Sequence, residues 1–235
     1  MRNLLYIIIC CASFSCKKQS DAECKLTSIQ SGTILPTTTT YEYDQQGRIV
    51  KVTGPLPSSL TYHPDSVVVV DASSITTYFI ASSGLATTSK TRFSFPHPTQ
   101  MTSENNYTYN TERYLIQVQA ISSQLVNGIT IRDTFIARFT IQNWNVTEYW
   151  TNNVLQNAYE YTNQEAKENM AFTTHPLYQW SFLGRPSKNL MSRMSSSNGP
   201  STFEYEFDAK KNIIIRKEFK GLPGSAISYY NYQCD

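Results

Sequence analysis

Cysteine carries the most readable chemistry in this sequence of 235 residues, which holds five of them. Cys16 follows Ser15 at the end of an apolar run, Leu4 to Phe14, with Arg2 before it and Lys17 and Lys18 after it. The run is about 11 residues long, which suits the hydrophobic part of an export signal and falls short of the roughly 20 needed to cross a bilayer. Cleavage just ahead of Cys16 would leave its thiol to take a diacylglyceryl group through a thioether. The expectation is therefore a signal peptide over residues 1–15, a lipid anchor on Cys16 and a polar tether over residues 16–23. Cys10 and Cys11 leave with the signal. Cys24 and Cys234 remain, one near each end of the mature chain, in a compartment that permits oxidation, and are expected to form a disulfide.

Other reactive groups are sparse. His63, His97 and His175 each precede a proline, a context that favours extended or turn backbone over a metal-ligand array. The sequence holds no GxSxG motif and no phosphate loop, so no catalytic residue, metal or cofactor is expected. Asp44 and Asp208 read as turn formers, and Glu42, Glu160 and Glu204 as the polar partners of neighbouring tyrosines. Trp144, Trp150, Tyr178 and Trp180 are candidates for stacking on a sugar ring, since aromatic faces pack on apolar C–H faces. Packing inside the fold is the competing reading. Twenty basic and 18 acidic side chains nearly balance, which gives no reason to expect nucleic acid as a partner.

The elements that must position these residues are strands. Thr and Tyr are abundant, with 16 tyrosines, and both favour strands. Ile116 to Ala120 alternates apolar and polar side chains, and Phe135, Ala137, Phe139 and Ile141 share one face opposite Arg138 and Thr140. Asp44-Gln45-Gln46-Gly47, His63-Pro64-Asp65-Ser66 and Asn127-Gly128 mark turns, the last of type I′. The four-valine run Val67–Val70 is expected where both faces are covered. Glu165 to Phe172 is read as one or two helical turns, and Thr173 to Pro186 as a plug, lid or crossover. The fold class is all-β: an antiparallel up-and-down meander of roughly 13–15 strands, strongly curved or barrel-like, in a single domain over residues 24–235.

One pattern recurs, an aromatic-x-aromatic triplet before a turn, in YEYDQQGRI (Tyr41 to Ile49), YTYNTERYL (Tyr107 to Leu115), YEYTNQ (Tyr159 to Gln164) and YEFDAKKNI (Tyr205 to Ile213). It reads as rings packing one face of a sheet. With HPLYQ (His175 to Gln179) and SKNLM (Ser187 to Met191), it resembles a lipoprotein family of Bacteroidota that carries a domain of unknown function described as porin-like. His175 stands where that family commonly has Asn. The resemblance implies a barrel-like fold and a cell-envelope location, and no activity; Lys17 rather than Asp after Cys16 points to an outer-membrane lipoprotein address by analogy with enteric bacteria. In that bacterial group Asp65-Ser66-Val67 matches a three-residue O-glycosylation sequon, which makes Ser66 a candidate acceptor.

The functional expectation is a lipid-anchored envelope β-protein, a non-enzymatic binding or structural module. Its membrane contact is the N-terminal lipid and its partner a glycan or an envelope protein. A carrier of a glycan or lipid-like ligand is the second reading, and a carboxylate-based hydrolase near Thr173–Pro186 the third. Strand faces rich in Thr, Gln, Asn and Ser argue against a continuous lipid-facing band.

Overall fold

The computed structural model describes residues 24–32, 36–94, 101–126, 128–166, 180–220 and 225–234. Cys16, the tether, His97, His175, Tyr178 and residues 167–172 of the expected helical stretch lie outside them. The strands are β1 (Cys24–Ser31), β2 (Thr37–Tyr43), β3 (Ile49–Thr53), β4 (Ser58–Tyr62), β5 (Ser66–Asp71) and β6 (Ser74–Ile80). Next come β7 (Ala86–Phe93), β8 (Met101–Tyr109), β9 (Leu115–Val126), β10 (Ile129–Gln142) and β11 (Asn145–Thr151). The remainder are β12 (Val154–Glu165), β13 (Asn189–Ser196), β14 (Gly199–Phe207), β15 (Ile213–Lys220) and β16 (Ser225–Cys234). Neighbours in sequence pair antiparallel throughout, and β1 pairs with β16, so the meander closes as a barrel of 16 strands. That exceeds the expected 13–15. The strand that composition hides is β4, where Gly54, Pro55 and Pro57 just ahead of it read as loop.

Closure is covalent as well as hydrogen-bonded. Cys24 lies directly opposite Cys234 across the β1–β16 seam, and their sulfurs are bonded, with Cα atoms 4.0 Å apart. The bridge spans 210 residues of sequence.

The inner face follows from alternation. Tyr41, Val52, Leu60, Val69, Tyr78, Tyr107, Phe139, Tyr159, Phe203 and Tyr230 belong to three apolar clusters that join strands from around the ring. Tyr41, Tyr107 and Tyr205 each pack against two of the clusters. All three are the leading aromatics of the recurrent triplet. Glu42, Lys51, Lys90, Glu104, Glu160 and Arg193 point the other way and pair across neighbouring strands. Their contacts are Glu42–Lys51 at 2.7 Å, Lys90–Glu104 at 3.2 Å and Glu160–Arg193 at 3.6 Å, all between exposed side chains. Val67 and Val69 are buried, whereas Val70 is 40% exposed. The expectation that both faces of this run are covered is therefore corrected: β-branched residues favour extended backbone whether or not both faces are buried.

A repeated hairpin shapes one end of the barrel. Asp44, Asn110 and Asp208 each accept a hydrogen bond on a side-chain oxygen from the N–H four residues on, at Arg48, Tyr114 and Asn212. The intervening Gly47, Arg113 and Lys211 all take positive φ. Just beyond, the returning strand carries a β-bulge, which leaves Ile49, Leu115 and Ile213 buried. Bulges increase local twist and bend the strand, tilting these residues toward the axis. Tyrosines then satisfy the carbonyls at such kinks: Tyr43 donates to Leu26 O at 2.7 Å, Tyr62 to Ile49 O at 3.0 Å and Tyr205 to Met191 O at 2.8 Å. Tyr161 donates in the same way to Val146 O. Its triplet, Tyr159 to Gln164, lacks the returning hairpin of the other three, because β12 runs on to Glu165.

Burial raises the tyrosine hydroxyls. Tyr41, Tyr43 and Tyr159 are pushed up to about 12, first by loss of hydration, and Tyr78, Tyr161 and Tyr205 rise further for the same reason. A folded-state value above the unfolded one means that the stabilisation is complete below pH 10. It is lost as the pH climbs through about 12. Titration of tyrosinate absorbance should therefore show a group of phenols that ionise only together with unfolding, seen by circular dichroism; smooth ionisation of all phenols near pH 10 would contradict the packing. Replacing Cys24 and Cys234 together by serine should lower stability by up to about 5 kcal/mol, the loop-entropy figure for so long a closure, measured by denaturant unfolding.

Candidate functional site

The end of the barrel that carries the bulged hairpins is plugged. Trp180 leads into a 3-10 turn, Ser181–Leu183, which seats Phe182 and Leu183 in the interior. The Phe182 ring lies 4.9 Å from that of Tyr78, and Trp180 stacks on Phe182 at 6.4 Å. Gly184, at φ 108°, presses against the β8–β9 turn: a Cβ there would stand 2.9 Å from Arg113 O and 3.3 Å from Leu115 N. Arg185 N donates to Arg113 O, and Lys188 N to Trp144 O. Ser187 Oγ accepts from Val146 N at 3.1 Å and meets the Tyr161 hydroxyl at 2.9 Å. Asn145 and Asn189 exchange a pair of hydrogen bonds. Residues 180–189 thus form a strap stitched across successive turns; of the stretch Thr173–Pro186 expected as a plug, lid or crossover, residues 180–186 belong to this strap and residues 173–179 lie outside the described residues.

The candidate stacking residues do not form one platform. Trp180 is part of the strap. Trp144, 48% exposed, occupies the two-residue β10–β11 turn with φ 65°, its ring 6.3 Å from that of Tyr114. Trp150 stands on the outer wall, opposite Arg138, while Tyr149 faces inward and stacks on Phe139 at 5.3 Å. Ser66 begins β5 at the plugged end, where its Oγ donates to Asp65 Oδ1 at 3.2 Å.

Asp44 and Asp208 sit in separate turns, each holding its own hairpin, and Glu42 and Glu160 face outward. Among the described residues no group of His, Cys, Asp and Glu could hold a metal ion. Alternation also puts charge inside: Arg216 and Glu218 share the inner face with Tyr205 and Phe203, 3.5 Å apart, the guanidinium 4.7 Å from the Phe203 ring. Sequence patterning missed this pair, because Ile213 to Ile215 interrupts the alternation with an apolar run across the bulge.

A cleft of about 440 Å³ opens on the outer wall. Thr108, Gln117, Arg138 and Trp150 form a row across β8, β9, β10 and β11 by direct register, with Thr140 and Asn153 alongside. Trp150 Nε1 donates to Glu148 Oε2 at 3.0 Å, and Thr140 Oγ1 donates to the same oxygen at 2.8 Å. Arg138 donates through Nε to Gln117 Oε1 at 3.4 Å and through Nη1 to Asn153 Oδ1. Of these residues, sequence analysis singled out Trp150 as a binding candidate. The others come together through strand register, which a single chain does not display.

Among solved structures, the chain is similar to a porin-like protein from Bacteroides uniformis, at 16% identity and a TM-score of 0.64, over 88% of this chain and 98% of that one. A porin-like protein from Bacteroides vulgatus is similar at 17% identity and a TM-score of 0.65, over 90% and 99%. The barrel fold is porin-like. No family model and no curated protein matches the sequence.

The strap generates a direct test. Gly184→Ala would force a side chain into backbone at a positive φ and should lower stability by about 1–3 kcal/mol, measured by chemical denaturation. Gly128→Ala, where a Cβ meets nothing within 4 Å, carries the positive-φ cost alone and should lose less.

Proposed function

We propose that this chain is an exported lipoprotein, acylated on Cys16, whose plugged barrel stands in water at the cell envelope and binds a partner without catalysing a reaction. The observation that carries the reading is the outer wall. Cross-strand pairs such as Glu42–Lys51, Lys90–Glu104, Glu160–Arg193 and Glu206–Lys217 stud it with exposed charge. Surface pairs of this kind contribute little stability. Placed in hydrocarbon, however, a basic side chain near mid-bilayer costs about 2–4 kcal/mol. A wall of this composition suits water, and the interior, lined by tyrosine and closed by the strap, suits packing more than conduction.

The position of the tether limits the distance of one end from the bilayer. β1 starts at the plugged end, where Lys210 Nζ of the β14–β15 turn lies 3.9 Å from Cys24 Sγ. Residues 16–23 reach at most about 28 Å when extended. Acylation of Cys16 would therefore keep the start of β1, at the plugged end, within that distance of the bilayer. Similarity to porin-like proteins and the export signal both favour the envelope, with the outer membrane as the proposed address. A glycan or an envelope protein is the proposed partner class.

Two measurements test the reading. Radiolabelled palmitate should label the wild type and not Cys16→Ser. Chain lacking residues 1–16 should be folded, all-β and monodisperse in buffer without detergent, and should carry no current across planar bilayers. A barrel that needs detergent to stay in solution, or that conducts, would overturn the proposal.

A further inference from the structure

We infer that the outer-wall cleft at Trp150 and Arg138 binds a glycan containing an acidic sugar. The inference rests on the reading that this wall faces water, and it names a ligand class for it. Four neighbouring strands spaced about 4.8 Å apart place Thr108, Gln117, Arg138 and Trp150 in a row about 14 Å long, a length suited to a short oligosaccharide.

The indole is fixed before any ligand arrives. Its Nε1–H is held by Glu148 Oε2, itself anchored by Thr140, so the ring is a pre-set stacking face and little entropy is lost on binding. The arginine is equally distinctive. Lys51, Lys90, Arg193 and Lys217 on the same wall are each paired with a carboxylate. Arg138 is instead held by two neutral amide oxygens, those of Gln117 and Asn153. Such partners orient a guanidinium and leave its charge uncancelled, and its remaining N–H groups match the two oxygens of a carboxylate. The amide nitrogens of Gln117 and Asn153, with the hydroxyls of Thr108 and Thr140, supply the mixed donors and acceptors that sugar hydroxyls need. Glu148, on the neighbouring pair, accepts from both Thr140 and Trp150 on Oε2, so that oxygen is engaged within the wall.

The test uses full-length protein in detergent micelles on an array of uronic-acid-containing and neutral oligosaccharides, followed by titration of the best binder. Retention of acidic glycans is expected. Arg138→Gln should weaken acidic glycans about tenfold and neutral ones little; Trp150→Ala should weaken both, and Trp150→Phe should restore part of the loss. Lys90→Gln, elsewhere on the wall, should change nothing. Thermal unfolding of every variant separates a lost site from a lost fold. No glycan retained, or acidic binding that survives both Arg138→Gln and Trp150→Ala, would overturn the inference. Behaviour of the lipid-free chain in buffer is read separately, so failure of the water-facing wall is distinguishable from failure of this site.

Discussion

A barrel of this many strands is wide enough to hold an aqueous channel, and the structure depends on how that width is closed at one end. Aliphatic side chains on the inner face are too short to meet across it. Tyrosine is longer, and its hydroxyl needs a partner once buried. Here the partner is the carbonyl at a β-bulge in a preceding strand, as with Tyr43 and Leu26 or Tyr205 and Met191. Each such bond couples two features that would be costly alone, a buried hydroxyl and an interrupted ladder. The bulges in turn bend Ile49, Leu115 and Ile213 inward, and the strap of residues 180–189 seats Phe182 and Leu183 against the rings. Remove the tyrosines and the bulged carbonyls, the inward tilt and the strap all lose their support.

This arrangement reverses the usual distribution in a membrane-spanning barrel, whose apolar band faces out and whose polar side chains face in. In this chain most rings lie inside and most ion pairs outside, with Phe79, Trp150, Phe219 and Tyr229 left on the outer wall. The inner charges Arg216 and Glu218 are an exception, tolerated because they face each other and the guanidinium also lies over an aromatic ring; an unpaired charge in that setting would be far more costly. The disulfide at the β1–β16 seam locks the barrel where its first strand begins.

Much of this was legible in the residues. Alternation in Phe135 to Ile141 placed Ala137 and Phe139 inside and Arg138 and Thr140 outside, as found. The triplets at Tyr41, Tyr107 and Tyr205 mark bulged hairpins, and Cys24 with Cys234 was paired by elimination. β4 was missed because prolines ahead of it mask a short serine-rich strand. Covered outer valines in β5 were wrongly expected, since strand preference and burial select the same residue type. Trp144, Trp150 and Trp180 looked equivalent as ring-bearing residues, yet one sits in a turn with positive φ, one on the outer wall and one in the strap.

Side-chain alternation, turn chemistry and the pairing of two cysteines are local or compositional properties, so the sequence by itself determined an antiparallel all-β meander with rings on one face. Which residues from different strands become neighbours depends on register, and register is fixed only when bulges, strap and seam close the ring together. The row from Thr108 to Trp150 exists because the register of four consecutive strands, set by their ladders, aligns it; Arg216 and Glu218, two residues apart on β15, point inward together because the bulge beyond Ile213 resets the alternation.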